Sequence, residues 1–483
     1  MTDVIIIGSG IVGCALAREL KRYQIDVLVL ERASDVCEGA TKANSAIVHS
    51  GLDAKTGTKK AHYNVLGNVM YSQLKEELGI KLIRNGSLNV CLEEEGRADL
   101  EALYQQGINN GVTDLRILER DELLAMEPNL QDSVVCALYA PTAGIIDSFE
   151  VNIAFAENAV SNGARFEFDT EVLEVKRLEE GGYLLKTNRG DYMSRAVINA
   201  AGIHSDEFNN MVSEHKLKIH ARRGEYFLID KYEKNFVKYT IFQQPTKEGK
   251  GVLVAPTVSD NIIVGPNAHE VEKDDVSTTR DGLLEVATKS IKAVKNVPLY
   301  NTITSFSGLR ATGESGDFEI GEVSDSPFFF NCAAIESPGL TSAPAIAVDL
   351  AKEVAEKLGA EANPNFNPIR KRPIILMELT DEEKNELIKR DPSYGRMVCR
   401  CENISEGEVI AAMRRPLGAK SLDGIKRRTR AGSGRCQAGF CTPRQMDLLM
   451  REHGLSFFEL TKRGGKSYLV TNKNKAAFVK EEN

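Results

Sequence analysis

The sequence predicts an α/β fold of several domains. Three observations carry this: a strand–turn–helix–strand unit at the start, alternating strand patterns in later blocks, and a cysteine-bearing segment set off by a polar stretch near the end. At 483 residues the chain is too long for one core, since domains run to roughly 150 residues. Its 42% hydrophobic and 27% charged residues are those of an ordinary globular protein. A net charge of −8 argues against bulk nucleic-acid binding. No apolar run reaches the ~18 residues that a membrane-spanning helix needs. The start, "MTDVIIIGSG", lacks the basic residues and the cleavage site of a signal peptide, so the expected location is the cytoplasm, with any membrane contact made through a partner. Nine cysteines are then expected as reduced thiols or ligands rather than disulfides.

The first element is an apolar strand, residues 4–7, running into Gly8-x-Gly10-x-x-Gly13. A helical stretch, 11–23, and a second strand, "DVLVLE", ending in Glu31, follow. Gly8 suits a tight turn, Gly10 lets a pyrophosphate approach the backbone, and Gly13 lets the helix pack on the strand. The helix N-terminus favours the anion, and the acid at the end of the second strand is placed for ribose hydroxyls. Strand, glycines, helix and terminal acid together predict a Rossmann-like dinucleotide-binding unit. The fingerprint alone does not choose between NAD and FAD.

The next stretch, "ERASDVCEGATKANSAIVHSGL", resembles the FAD-binding segment of the D-amino-acid-oxidase-like flavoproteins. The resemblance implies FAD, with Glu31 and Arg32 followed by a loop in which Gly39, Thr41, Asn44 and Ser45 line the pyrophosphate and ribityl chain. His49-Ser50-Gly51 would approach the isoalloxazine ring. "AVINAAG" (196–202), with Ala201 and Gly202, resembles a third FAD-contacting motif of the group, and Gly339-Leu340-Thr341 opens a helix whose N-terminus would face the flavin. His204 is expected to pack near the adenine side. The implied architecture is a discontinuous FAD-binding domain (1–80, 141–215 and 325–360) with an inserted antiparallel-sheet substrate domain (81–140 and 216–324). Residues 361–392, rich in Pro, Asn and charge, read as a linker with one short polar helix, and 393–483 as a small C-terminal module.

Three segments narrow the resemblance. "IVHSGLDAKTGTKKAHYNVLGN", "ARRGEYFLID" and "SFSGLRATGESGDFEIGE" resemble FAD-dependent glycerol-3-phosphate dehydrogenases and oxidases, and also L-2-hydroxyglutarate dehydrogenases. The resemblance implies that Arg310 binds the anionic group of the substrate, a role that suits its planar fork. The plain alternative is an ion pair with Asp317 or Glu314. His49 is a proton acceptor or polariser beside the flavin, or else a packed histidine bonded to backbone, and a covalent flavin link at His49 is left open. Strand alternation places Arg222, Gly224 and Tyr226 on one face and Arg223 and Glu225 on the other. Tyr226 is therefore expected to line the pocket, and Arg223 is not.

Near the end stand Cys399-x-Cys401 and Cys436-x4-Cys441, in polar, Gly-rich sequence where inert core cysteines are unusual. The spacing is tight for a zinc ribbon and differs from the C-x-x-C of redox thiols, although zinc remains an alternative. It resembles the bacterioferritin-associated-ferredoxin-like [2Fe–2S] module, which implies all four as cluster ligands. Residues 414–430 hold seven Lys or Arg and one Asp, and with Arg400 and Arg435 they would offset an anionic cluster or form a docking patch. The remaining cysteines, 14, 37, 91, 136 and 332, read as packing thiols, with Cys37 exposed to oxidation in the flavin loop.

The chain is thus identified as a member of the anaerobic, type II glycerol-3-phosphate dehydrogenase/oxidase family. The expected activity is flavin-dependent oxidation of glycerol 3-phosphate to dihydroxyacetone phosphate. Electrons would pass through FAD and the cluster to a second flavoprotein or another acceptor subunit. The nearer alternative is a 2-hydroxyacid, L-2-hydroxyglutarate or amine/imino-acid dehydrogenase. The remoter one is a non-catalytic electron-transfer subunit.

Overall fold

A computed structural model describes residues 1–244 and 251–472; the expected substrate-domain residues 245–250 and the module's last stretch, 473–483, lie outside the described residues. The chain forms two units: Met1–Arg32 with Val36–Arg372, and Ala33–Asp35 with the chain from Pro373 onward.

In the first unit, strand Thr2–Ile7 lies between Val27–Leu30 and Gly190–Asn199, parallel to both. Arg165–Glu167 extends the sheet beyond Val27–Leu30, and Ser326–Ala333 pairs in parallel with Gly190–Asn199. A meander, Val172–Arg177 and Tyr183–Thr187, adds antiparallel strands through the first half of Gly190–Asn199. Val4, Ile5 and Ile6 are fully buried, as the central strand of a sheet covered on both faces requires. Helix Ile11–Leu20 packs against Ser148–Ser161 and Gly339–Leu358.

The glycine turn is the tightest point of this packing. A Cβ on Gly13 would lie 2.1 Å from the carbonyl oxygen of Gly8. Gly8 sits at φ +101°, and its own Cβ would lie 2.7 Å from the oxygen of Ala200. Both clashes are with backbone, which cannot swing aside. Gly13→Ala is therefore expected to lose FAD and to destabilise this unit by about 2 kcal/mol or more. Flavin content and melting temperature measure both effects, and a variant with full flavin content would contradict this account of the turn.

The second sheet runs, in order, His269–Val271, Ile219–Ile229, Ile262–Gly265, Leu253–Pro256, Thr240–Gln243, Ser87–Cys91, Cys136–Ala140 and Arg116–Glu119. Thr302–Gly313 pairs along the whole length of Ile219–Ile229. Its pairs are mainly antiparallel, but Thr240–Gln243 and Ser87–Cys91 run parallel. Its core includes Leu88, Val90, Ile241, Val254, Ile262 and Val264.

Residues 361–372 are part of the first unit. Arg370 Nε donates to Glu157 Oε2 at 2.7 Å, with both side chains buried, and Arg370 Nη1 donates to the oxygen of Leu78. The short polar helix, Asp381–Arg390, belongs to the second unit. The boundary therefore falls at Arg372/Pro373, inside the stretch that reads as a linker. Composition made 361–392 look solvated, but its sparse anchors, Arg370, Leu376 and Leu387, are each buried.

The second unit packs Val398, Ile404, Val409, Met413, Ile425, Leu448 and Leu449 into one core. Its helices start on side-chain caps: Thr380 with Glu383, Ser405 with Glu408, and Ser421. Helix Thr442–His453 instead starts directly at Cys441. Among the described residues no helix is long and apolar enough to cross a membrane.

Candidate functional site

The nucleotide end is built as the glycine spacing requires. Glu31 Oε2 accepts from both the backbone N–H and the hydroxyl of Ser9, each at 2.8 Å, which ties the second strand to the turn. Arg32, the next residue, is exposed. Gly10 is the N-cap of helix Ile11–Leu20 and contributes no capping side chain. Thr41 Oγ1 accepts from the N–H of Ile11 at 3.0 Å, so the loop reaches the helix N-terminus where a pyrophosphate anion would sit. Asn44 shapes its own loop: Nδ2 donates to the oxygen of Thr41 at 2.7 Å, and Oδ1 accepts from the N–H of Ala46. Gly39 has open space at its Cβ position. Ala200 is bonded to the oxygen of Ile7, which carries Ala201 and Gly202 to the end of the first strand. His204 bonds Glu207 at 2.8 Å. Cys37, expected to be open to oxidation, is fully buried.

The helix Gly339–Leu358 lies against the same loop. Thr341 Oγ1 accepts from the N–H of His49 at 3.0 Å and donates to the oxygen of Ile47 at 3.3 Å. The oxygen of Leu340 accepts from the hydroxyl of Tyr71. A Cβ on Gly67 would lie 2.0 Å from the oxygen of Thr341, so helix Lys59–Leu78 touches this helix start backbone to backbone. The oxygen of His49 accepts from Asn68 Nδ2 at 2.8 Å, and its half-buried ring lies 5.9 Å from the ring of Phe242.

The second sheet brings up the other side chains. Arg222 pairs with Arg310, Gly224 with Gly308, and Tyr226 with Phe306. All six therefore share one face, as alternation requires. The opposite face holds Arg223, bonded to Asp275 and Ser277, and the fully buried Glu225. Tyr226 stacks on Phe306 at 4.8 Å and is only 4% exposed. Burial pushes its phenol up, while the neighbouring Arg310 guanidinium and the Ser45 hydroxyl pull it back. Ile47, Tyr226, Phe242 and Phe306 form one apolar cluster, which joins the His49 loop to the Arg310 strand. A Cβ on Gly308 would lie 1.9 Å from the oxygen of Ala43, so the loop backbone rests on this strand.

Arg310 is not consumed by a structural ion pair. Its Nη1 donates to the oxygen of Asn267 at 3.3 Å, and no carboxylate lies within ion-pair distance of it among the described residues. Asp317 instead accepts from the backbone N–H groups of Lys59 and Lys60, and Glu314 lies 3.7 Å from His220. A guanidinium left with one carbonyl and a phenol retains donors for an anionic ligand.

Sequence reading missed several supporting groups. A Cβ on Gly224 would lie 2.9 Å from Arg310 Nη2, so the glycine of "RRGEYF" leaves room for the guanidinium. Asn267 Oδ1 accepts from the N–H of Glu225, and its Nδ2 donates to Glu225 Oε2 at 2.9 Å. That network fixes the carbonyl that Arg310 uses, and nothing in "GPNAHE" signals it. Glu336 takes Lys60 Nζ at 2.7 Å and the Thr312 hydroxyl at 2.8 Å. Burial pushes its carboxyl up, but Lys60, Thr312 and the charge of Arg310 hold it below the usual range.

We expect Asn267→Ala to raise KM for the anionic substrate roughly tenfold with a smaller change in kcat, because the clamp loosens without losing its charge. Steady-state kinetics at full flavin content checks this; equal effects on both constants would place Asn267 elsewhere.

In the second unit the thiols gather in two pairs. Cys401 and Cys436 have Sγ atoms 3.6 Å apart. The Cys441 thiol donates to Cys399, which, with backbone N–H groups of Gly432, Glu402 and Cys401, pulls Cys399 down to about 6. The same bond pushes Cys441 up. Gln445 Nε2 reaches Cys441 Sγ at 3.0 Å. Gln437 and Ala438, at φ 45° and 69°, fold the segment between Cys436 and Cys441 into a tight left-handed bend. N–H groups aimed at sulfur and a helix starting at Cys441 favour thiolates there. Among the described residues no three His, Cys, Asp or Glu side chains converge as a single-ion site. Four thiolates are the ligand set that a [2Fe–2S] cluster takes. The basic run is partly neutralised: Arg427 and Arg428 bind Asp35, and Arg430 binds Glu402.

Comparisons with known proteins follow this division. A family model described as DAO, FAD dependent oxidoreductase, matches residues 3–353, and one described as BFD-like [2Fe-2S] binding domain matches 397–451. The chain is similar to a glycerol 3-phosphate dehydrogenase of Caloramator mitchellensis, 46% identical over 480 residues and 99% of each chain. It is also similar to a glycerol 3-phosphate oxidase of Mycoplasma pneumoniae, 30% identical over 76% of this chain and 97% of that one. Among solved structures, dithionite-reduced L-alpha-glycerophosphate oxidase from Mycoplasma pneumoniae with FAD bound superposes with a TM-score of 0.73. The two share 29% identity over 77% of this chain and 99% of that one.

Proposed function

Because the chain belongs to the FAD-dependent oxidoreductase family and carries a BFD-like [2Fe–2S] domain, we propose that it oxidises the C2 hydroxyl of glycerol 3-phosphate, giving dihydroxyacetone phosphate. The observation that carries this reading is the similarity to a glycerol 3-phosphate dehydrogenase over 99% of both chains. An Arg310 with no carboxylate within ion-pair distance among the described residues supports it further.

When bound, FAD supplies a two-electron acceptor for the substrate's hydride, and the [2Fe–2S] cluster a one-electron carrier. The chain's own residues bind, orient and move the proton. Gly8, Gly10 and Gly13, Glu31 with Arg32, and Thr41 with Asn44 would hold the dinucleotide. Ser45, Ala201, Gly202 and the Gly339-Leu340-Thr341 helix start would hold its flavin end. Arg310 takes two phosphate oxygens of the substrate in its fork. Asn267 and Tyr226 fix the plane of that fork. His49 accepts the C2 hydroxyl proton at a ring nitrogen, with its backbone held by Thr341 and Asn68. Phe242, Tyr226 and Phe306 exclude water from one side of the reacting carbon. Cys399, Cys401, Cys436 and Cys441 hold the cluster.

A two-electron donor and a one-electron carrier in one chain imply that electrons leave to another protein, such as a second flavoprotein subunit, rather than chiefly to oxygen. In dye-linked assays kcat/KM for glycerol 3-phosphate should exceed that for L-2-hydroxyglutarate by about 100-fold or more, because a site built for one anion rejects the other. The reverse preference would overturn the substrate assignment.

A further inference from the structure

We propose that the open edge of the four-cysteine site, at Cys436, is the docking surface for an acidic one-electron carrier protein, with Phe440 as its apolar anchor and Arg400 as its charge partner. This rests on the reading above that electrons leave through the second unit.

The four thiols are unequally covered. Cys399 and Cys441 are each 1% exposed, Cys401 is half-buried, and Cys436 is exposed. Among the described residues the most open approach for a carrier that must come close to the thiols is over Cys436. Phe440 stands beside that approach and is 67% exposed, although its neighbour Cys441 is in the core. The guanidinium of Arg400 lies 5.4 Å from the centre of its ring. Aromatic residues, Phe among them, and arginine are enriched at protein interfaces relative to the rest of the surface, and arginine also at their energetic centres.

Charge identifies the partner. Arg427, Arg428 and Arg430 are each bound to a carboxylate. Arg400, between Cys399 and Cys401, is exposed and has no carboxylate within ion-pair distance among the described residues. Arg444, which follows Phe440 in the chain, is exposed as well, with its guanidinium on the oxygen of Met397 and not on a carboxylate. The chain as a whole carries −8. An acidic partner is therefore repelled by the chain's net charge and drawn to this edge, which sets orientation as well as on-rate. A small edge of this kind suits the brief, small-area encounters of redox partners. Each encounter moves one electron and neither forms nor breaks a bond. One oxidised substrate reduces two carriers in turn and releases two protons.

The test uses the full chain with both cofactors loaded, an acidic plant-type [2Fe–2S] ferredoxin as probe and basic cytochrome c as control. Binding is read by biolayer interferometry at low and moderate salt. The ferredoxin should bind saturably, with Kd rising as salt rises, and cytochrome c should bind more weakly. Arg400→Glu and Phe440→Ala should each weaken the ferredoxin about tenfold or more. In Phe440→Ala iron content, visible spectrum and substrate-driven flavin bleaching should stay unchanged. No saturable ferredoxin binding, equal binding of cytochrome c, or wild-type affinity in either variant with its iron intact would overturn the proposal. Should Arg400→Glu lose iron, Phe440→Ala and the salt dependence of the wild type still decide. If glycerol 3-phosphate fails to bleach the flavin, the substrate reading falls while the binding result stands separately.

Discussion

Replacing Arg310 by alanine is expected to raise KM for glycerol 3-phosphate by roughly two to three orders of magnitude, with flavin content unchanged. A bidentate guanidinium–phosphate contact amounts to two charge-assisted hydrogen bonds, each contributing about 1.5–3 kcal/mol, and part of that is recovered when water replaces the guanidinium. The structure says why this residue cannot be spared. Among the described residues its hydrogen-bond acceptors are the backbone carbonyl of Asn267 and the Tyr226 phenol, and Glu336 acts on it through space without an ion pair, so the fork keeps donors for a ligand. Removing it leaves no buried carboxylate unpaired, so the variant should fold. If Arg310 contacts the phosphate equally in the ground and transition states, kcat changes little. Arg310→Lys should recover only part of the loss, because an ammonium lacks the fork. Steady-state kinetics with dye as acceptor measures all of this, and a KM within twofold of wild type would remove Arg310 from the anchoring role.

Cys436→Ser should separate the two halves of the chemistry. Cys436 Sγ is 3.6 Å from Cys401 Sγ, in the more exposed of the two thiol pairs. A serine hydroxyl is a far poorer iron ligand than a thiolate, and four thiolates complete the cluster. The variant should lose the iron–sulfur absorption, most of its iron and its turnover with a protein acceptor. Glycerol 3-phosphate should still bleach its flavin, and dyes that oxidise flavin directly should still support turnover. Normal iron content in the purified variant would mean that Cys436 is not a ligand.

Much of this was legible in the sequence because it depends on backbone shape and simple spacing. Gly8, Gly10 and Gly13 can be read as a turn from their spacing, and the structure gives the backbone distances that forbid a Cβ at Gly8 and Gly13. The division of Arg222 to Tyr226 between two faces follows from strand period alone, and Tyr226 and Arg223 indeed point to opposite faces. Networks made across distant segments were not legible. Asn267 supports Arg310 from a turn whose sequence has no signature, and Glu336 meets Lys60 across a separation that no local pattern reports. The same reason explains the boundary at Arg372/Pro373. A buried Arg370–Glu157 pair joins a Pro- and Asn-rich stretch to a helix more than two hundred residues earlier, and composition reads only the stretch. The basic run near the cysteines was misjudged in part because charge counting cannot see that Asp35 and Glu402 take up Arg427, Arg428 and Arg430.

The central claim is that the flavin is reduced by glycerol 3-phosphate held at Arg310. It is tested most directly by anaerobic titration of the purified protein with glycerol 3-phosphate and, separately, with L-2-hydroxyglutarate, followed by visible spectra. The account predicts that glycerol 3-phosphate bleaches the flavin absorption and then that of the iron–sulfur cluster, while L-2-hydroxyglutarate at the same concentration leaves both unchanged. Bleaching by L-2-hydroxyglutarate alone, or by neither, would contradict it.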